Sequence, residues 1–481
     1  MPPSRREFLT RLAAGAAAAA WAPVLVTGCR TVGAVHGAAV SSGRRGWDLV
    51  PEIERRIVPP TFPNRAFDIT QFGAIGDGVT DCTDAFRHAI AACRTAGGGR
   101  VIVPNGRFLT GPIHLVSRVN LHVTRDGTVA FSQDTARYLP AVLTRFEGTE
   151  LMNYSPFVYA LDQQDIAITG EGTLDGQADE THWWPWKGSE AGGWKPGMPN
   201  YNVARQRLLA MAERGEPVER RVFGEGDYLR PSFVEPYRCR NVLIEGVKIV
   251  RSPMWEIHPV LCSNVVVRAV TIDSHGPNND GCNPESCRDV LIENCAFDTG
   301  DDCIAIKSGR NADGRRLNVP SENIIVRGCR MKDGHGGVTL GSECSGGIRN
   351  VFAERCQMDS PNLDRALRLK NNAMRGGVLE HVYMRDVTIG QVADSVLSID
   401  FYYEEGDKGE FTPVARDIEM RNVTSQRSPY GLYLRGFERA PISDVRVIDC
   451  RFDGVEKGNR VERVNGLVMQ NVSINGSLVP S

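Results

Sequence analysis

One short strand, repeated many times, constrains this chain more than any other feature. Nine segments align from Asn241, Asn264, Asp289, Asn323, Asn350, His381, Asp417, Asp444 and Gly466, at spacings of 22 to 36 residues; Asp165 opens a weaker, earlier copy. One position on, the copies read Val242, Val265, Val290, Ile324, Val351, Val382, Ile418, Val445 and Leu467. Three positions on, they read Ile244, Val267, Ile292, Val326, Ala353, Met384, Met420, Val447 and Met469. Charged residues fill most of the fourth positions. This is the period-2 alternation of a half-buried strand. A unit with one short strand cannot bury its apolar side alone, so it must stack on its neighbours. No leucine-rich signature is present. The expected fold is all-β: a single-stranded parallel β-helix, a solenoid whose turns are rich in Asn, Asp and Gly.

Six positions on, Val247, Val270, Cys295, Cys329, Cys356, Val387, Val423, Cys450 and Val472 share one column. Cysteines alternating with valines read as small buried apolar residues rather than metal ligands. Of the thirteen cysteines, others remain open to pairing in an oxidising compartment: Cys282 with Cys287, or Cys303 with a loop partner. The fifty glycines suit many turns between short strands. With 56 Lys and Arg against 58 Asp and Glu, a basic nucleic-acid footprint is excluded.

The solenoid is expected over residues 63–481. Residues Thr83 to Thr95 form an Ala-rich helical stretch, stopped by Gly97, Gly98 and Gly99, that suits a short N-terminal capping helix. Residues 177–235 interrupt the repeat. They hold Trp183, Trp184, Trp186 and Trp194, four of the seven tryptophans. That excursion is either a packed surface segment or an aromatic wall for a sugar.

Residues 1–29 read as an export address. Ser4-Arg5-Arg6-Glu7-Phe8-Leu9 precedes an apolar run from Leu12 to Val26, the pattern of a twin-arginine signal. Cys29 ends a possible lipoprotein box and would carry a lipid anchor; cleavage near Gly37-Ala38-Ala39 is the alternative. Periplasmic, outer-membrane-anchored or secreted locations follow. Residues 30–62 are expected to be a linker or N-terminal extension.

Polar residues crowd one place on the repeat. Asp301 and His335 each lie twelve residues after the start of their own copy, and Asp280 lies 21 residues before Asp301. Strands stack about 4.8 Å apart, so Asp280, Asp301, Asp302 and His335 should line one side over about three rungs. Arg368 and Lys370, two apart, add positive charge one coil on. Carboxylates this close repel, so at least one should keep a proton near neutral pH. A glycosidase needs that division: one acid to protonate the leaving oxygen and one carboxylate to activate water or attack. The spacing leaves retention and inversion both open.

The motifs Asn278-Asn279-Asp280, Gly300-Asp301-Asp302, Gly334-His335-Gly336 and Arg368-Leu369-Lys370 resemble those of the polygalacturonases, the family-28 glycoside hydrolases, in its bacterial exo-like subgroup. Asn279 and Leu369 depart from the family's Thr and Ile. The resemblance spans about residues 67–476 and includes the run from Phe72 to Asp81. It implies a right-handed β-helix and inverting hydrolysis of α-1,4-galacturonosidic bonds in pectin or oligogalacturonides. By motif, Asp301 would be the general acid, Asp280 and Asp302 would hold and activate water, and His335 would tune the acid. Arg368 and Lys370, with Asn278, would bind substrate, and Lys307 and Arg310 add positive charge for an acidic chain. No metal or cofactor is expected, and a monomer is. The long excursion and the stretch around Gly341, Ser342 and Glu343 suit exo action. Alternatives are a rhamnogalacturonan hydrolase, a Ca²⁺-dependent pectate lyase, or a non-catalytic glycan-binding β-helix.

Overall fold

A computed structural model describes residues 46–480; the export signal and Cys29 lie outside the described residues. The chain winds into a right-handed parallel β-helix. One coil shows the plan. The strand Arg288–Glu293 leads through Asn294 to the strand Ala296–Thr299, and a polar turn then leads to the strand Ile304–Ile306. Each strand pairs in parallel with its equivalent one coil away.

The repeat register holds residue by residue. Ile166, Val242, Val265, Val290, Ile324, Val351, Val382, Ile418, Val445 and Leu467 are successive partners along one sheet. Nearly all of these side chains are buried in one continuous core. The residue that opens each copy has φ between 54° and 70° at all nine positions. Side chains rarely tolerate that left-handed backbone, and Asn and Asp do so best. This is why eight of the nine copies start on Asn, Asp or Gly, the other starting on His381. The amides then bond along the stack: Asn264 Nδ2 donates to Asn241 Oδ1 at 2.8 Å, and Asn350 Nδ2 to Asn323 Oδ1 at 3.0 Å.

Helix α2 (Thr83–Thr95) covers the first coil with Ala85, Phe86, Ala89, Ile90 and Cys93 buried. Within the linker or N-terminal extension expected over 30–62, the residues from Gly46 onward are structured. Residues Gly46–Leu49 form a 3₁₀ turn and α1 spans Val50–Arg56. Val50, Ile53 and Ile57 pack on Leu243, Val266, Ile325, Phe352 and Tyr383. Those five stand two positions into their copies, on the outer side of the sheet. The strand is therefore not half-buried on these rungs, because the segment straps across them and covers their apolar outer side.

The cysteine column is buried as expected, and among the described residues no disulfide forms: all twelve described cysteines are free and buried. The pairing left open for Cys282 with Cys287 or for Cys303 is corrected. Instead Cys239, Cys262 and Cys287 stack on consecutive rungs, with the Cys239 amide donating to Cys262 Sγ at 3.3 Å and the Cys262 amide to Cys287 Sγ at 3.4 Å.

The excursion carries helix α3 (Asn202–Glu213) and three 3₁₀ turns. It packs through Tyr201, Ala204 and Leu208 against Phe146, Leu151, Met254 and Trp255. A β-hairpin, Val142–Phe146 with Thr149–Asn153, lies beside it.

Candidate active site

The polar turn that precedes each strand of the third sheet builds the site. Cys282 pairs with Ile304, and Ile304 with Val338. Two residues earlier on each coil stand Asp280, Asp302 and Gly336. One residue before the last two stand Asp301 and His335, and His335 Nδ1 lies 3.0 Å from Asp301 Oδ1. The twelve-residue offset thus aligned Asp301 with His335 correctly, whereas Asp280 stacks on Asp302 rather than on Asp301. Oxygens of Asp280, Asp301 and Asp302 all lie within 4.8 Å of one another.

The glycines around His335 are required by space. A Cβ on Gly336 would meet Asp302 Oδ1 at 2.9 Å and Thr339 Oγ1 at 2.3 Å. One on Gly334 would meet the Asp301 carbonyl at 2.5 Å. Asn279 carries no chemistry. Its buried amide accepts from Ser274 Oγ and the Gly276 amide and donates to the Ser252 and Met254 carbonyls, which fixes the turn beneath Asp280.

Each carboxylate has its own cation. Lys370 Nζ donates to Asp302 Oδ2 at 2.7 Å, and Arg368 Nη1 and Thr339 Oγ1 donate to Asp302 Oδ1 at 3.2 and 2.9 Å. Asp301 faces His335. Asp280 accepts from Asn283 Nδ2 at 2.9 Å, with Lys307 Nζ at 3.6 Å. Burial and the nearby Asp301 push the Asp280 carboxyl well above the usual carboxylate range. Burial also raises Asp302, but Lys370 and Arg368 outweigh it and hold the group low. Asp301 is likewise held low against burial, by the His335 hydrogen bond and charge. The same bond lifts His335 to about 9. The free site therefore divides its proton affinities: Asp280 holds a proton more tightly than Asp301 and Asp302, whose charged forms are favoured, and His335 keeps its proton past neutral pH. A divalent cation on these three carboxylates would sit among His335, Lys307, Arg368 and Lys370, which does not suit Ca²⁺.

These groups lie in a cavity of about 460 Å³, within the range of small-molecule sites. Asn278, Asp280, Asp301, Asp302, Lys307, Arg310, His335 and Lys370, all singled out from the sequence, line it, and Arg368 is bonded to the lining Asp302. Arg368 and Lys370, expected to bind a substrate carboxylate, are bonded to Asp302. Lys307 is bonded to Glu343 at 3.0 Å and lies 4.5 Å from the Trp255 ring centre. Asn278 lines the wall, its Oδ1 accepting from the buried Arg230 at 2.8 Å.

The excursion does form a wall, but not with its tryptophans. Trp183 is buried against Tyr138, Tyr154, Phe157 and Trp186. Trp184 gives its indole N–H to the Ser252 carbonyl at 2.8 Å. The excursion meets the cavity through Lys187, Ser189, Ala191 and Arg205. Glu147 at the hairpin turn, Arg310, and Tyr403 and Glu404 of the 401–413 loop complete the lining. Lys187, Arg205, Glu147 and Tyr403 carried no signal in the sequence because they lie outside the repeat.

The model of the family described as "Glycosyl hydrolases family 28" matches residues 225–474, a span that contains all four motifs. The chain belongs to glycosyl hydrolase family 28. The crystal structure of a hyperthermoactive exopolygalacturonase from Thermotoga maritima is 50% identical, with a TM-score of 0.88, covering 90% of this chain and 97% of that one. A probable polygalacturonase of Vitis vinifera is 28% identical over 408 residues, 82% of this chain and 75% of its own. An exo-poly-α-D-galacturonosidase of Dickeya chrysanthemi is 29% identical over 389 residues, 76% of this chain and 62% of its own. As a family-28 member the chain is a glycoside hydrolase, with a pectic polysaccharide as the class of its substrate. The buried carboxylate cluster is then the natural place for its acid–base chemistry.

Proposed function

We propose that this hydrolase removes single galacturonate residues from the end of a galacturonan chain. One observation carries the reading: the carboxylates sit in a cavity walled by the excursion, the hairpin and the 401–413 loop, and cations ring it. A walled cavity takes a chain end, and cations suit an acidic sugar.

Asp301 is the acid. The proton that His335 shares with it across 3.0 Å passes to the leaving oxygen as charge develops there. Asp302, ionised between Lys370 and Arg368, takes the proton of a water. Asp280, neutral, orients that water by hydrogen bonding. His335 is half-exposed, whereas Asp280 and Lys307 are almost fully buried, so on this reading the mouth lies on the His335 side and the closed end beside Asp280. The sugar attacked by water is thus the one inside, the non-reducing terminal residue. Inversion is carried by the resemblance; oxygens within 4.8 Å are closer than the ~6.5–9.5 Å usual for inverting carboxyl pairs. Proton NMR of the first-formed anomer tests it: a β product from the α linkage is expected, and an α product sinks inversion. Incubation with polygalacturonate tests the whole reading. Galacturonate alone is expected from the first time point. A ladder of oligomers would mean internal cleavage, and growing ultraviolet absorbance would mean a lyase.

We further propose export through the twin-arginine route. The twelve free, buried thiols suit a protein that folds in a reducing compartment before it crosses the membrane. Fractionation and lipid labelling test this: Arg5→Lys with Arg6→Lys should hold the protein in the cytoplasm, and Cys29→Ala should remove any lipid.

A further inference from the structure

The cations picked out from the sequence have a common property: each is already matched to a carboxylate. Lys370 holds Asp302, and Lys307 holds Glu343 and Asp280. Arg310, in the same cavity, lies 3.5 Å from both Glu147 and Glu343 and 3.3 Å from Glu404. A substrate carboxylate arriving at these groups competes with partners they already have.

Lys187 differs. It lines the same cavity, yet among the described residues no carboxylate lies within 4.0 Å of its ammonium. Its single hydrogen bond goes to the Tyr201 hydroxyl at 2.6 Å. Two of its three donors are therefore unused. Arg205, beside it on the wall, gives Nε to Glu147 at 2.6 Å and leaves its two terminal nitrogens without a described partner. Both groups face the cavity on the side built by the excursion.

Their placement is firm. Lys187 ends the 3₁₀ turn Trp184–Lys187. Trp183, just before this turn, is locked in the aromatic cluster, and Trp186 packs on Tyr154 and Tyr228. Arg205 stands on α3, whose Ala204 and Leu208 are buried. The tryptophans act as anchors that deliver an unpaired ammonium into the cavity.

We propose that Lys187, assisted by Arg205, is the anchor for the carboxylate of the terminal uronate residue, and so makes the enzyme select a free acid at the chain end over a neutral or methyl-esterified one. The inference rests on the exo reading above. It assigns specificity to the excursion, outside all four catalytic motifs, and leaves Arg368 and Lys370 to hold Asp302.

The test uses the full-length enzyme and digalacturonate, either free, methyl-esterified on its non-reducing residue, or methyl-esterified on its reducing residue. Wild type should prefer the free acid to the non-reducing ester by about 10- to 100-fold in kcat/KM, the size of one charge-assisted hydrogen bond. Lys187→Met should lose that preference, mainly through a raised KM, because the carboxylate is present in ground and transition states alike. Lys187→Arg should restore most of it. Discrimination against the reducing-residue ester should not change. If Lys187→Met keeps the wild-type preference, or loses both preferences equally, the proposal is overturned. If wild type releases no galacturonate from digalacturonate, the exo reading itself fails. Calorimetry with galacturonate and galactose then decides separately: galacturonate selectivity lost in Lys187→Met upholds the anchor, and its persistence or absence in wild type overturns it.

Discussion

Two sides of the same coils obey opposite rules. On the sheet that carries the repeat, like stacks on like. Valine lies over valine, asparagine amide over asparagine amide, cysteine over cysteine, and each rung supports the next. On the side that carries the site, register also stacks like on like, but here it sets Asp280 over Asp302. Stacked carboxylates repel and are buried, and the molecule compensates with a raised proton affinity at Asp280 and with Lys370, Arg368, Lys307 and His335. Repetition is stabilising where the repeated group is apolar or an amide. Where it is charged, repetition costs stability and produces the shifted proton affinities that catalysis uses.

Substitutions can push this contrast in both directions. The largest effect is expected on the catalytic side: Asp301→Asn should lower kcat by about a hundred- to ten-thousand-fold and lower the melting temperature slightly, because the His335 bond and the nearby cations that favour ionised Asp301 are lost. A level kcat would exclude Asp301 as the acid. Lys370→Met should be the most destabilising change near the site. It leaves Asp302 buried with a weakened counter-charge, for which about 3–5 kcal/mol is typical, read by denaturant unfolding.

The next effect is on pH dependence. His335 is raised to about 9 by its bond to Asp301. A raised group stabilises fully below its unfolded value, near 6.5, and that contribution is lost as pH rises through about 9. Activity should fall over the same alkaline window, and His335→Gln should abolish that limb of the profile. A limb that survives in the variant would exclude His335 as its source. The smallest effects belong to the repeat side. Asn323→Ala should cost about 1–2 kcal/mol because alanine pays for the left-handed backbone, and Asn323→Gly less. Cys356→Val, a residue the same column already uses at Val387, should change stability by under about 1.5 kcal/mol.

The repeat was legible because one requirement recurs nine times. Each copy needs a left-handed first residue and two inward apolar residues, so the pattern rises above local noise. The cluster of Asp280, Asp301, Asp302 and His335 was legible for the same reason, as an offset within that period. The strap over residues 46–57 was not. Its partners, Leu243, Val266, Ile325, Phe352 and Tyr383, are apolar at an outer position, but nothing local says which segment covers them. The tryptophans left two readings open: a cluster of aromatic rings signals burial or ligand stacking equally, and only packing around Trp183 separates the two.

The sequence by itself determined the coil, its register and the four motifs that mark a family-28 hydrolase, because a periodic fold converts spacing directly into neighbourhood. Tertiary structure decided which cations are spent on protein carboxylates and which remain free, and which carboxylate keeps the proton. Those depend on distances between segments far apart in the chain. Asp302 meets Lys370 from 68 residues away, Lys307 meets Glu343 from 36, and Lys187 reaches the cavity on an excursion that shares no period with the rest.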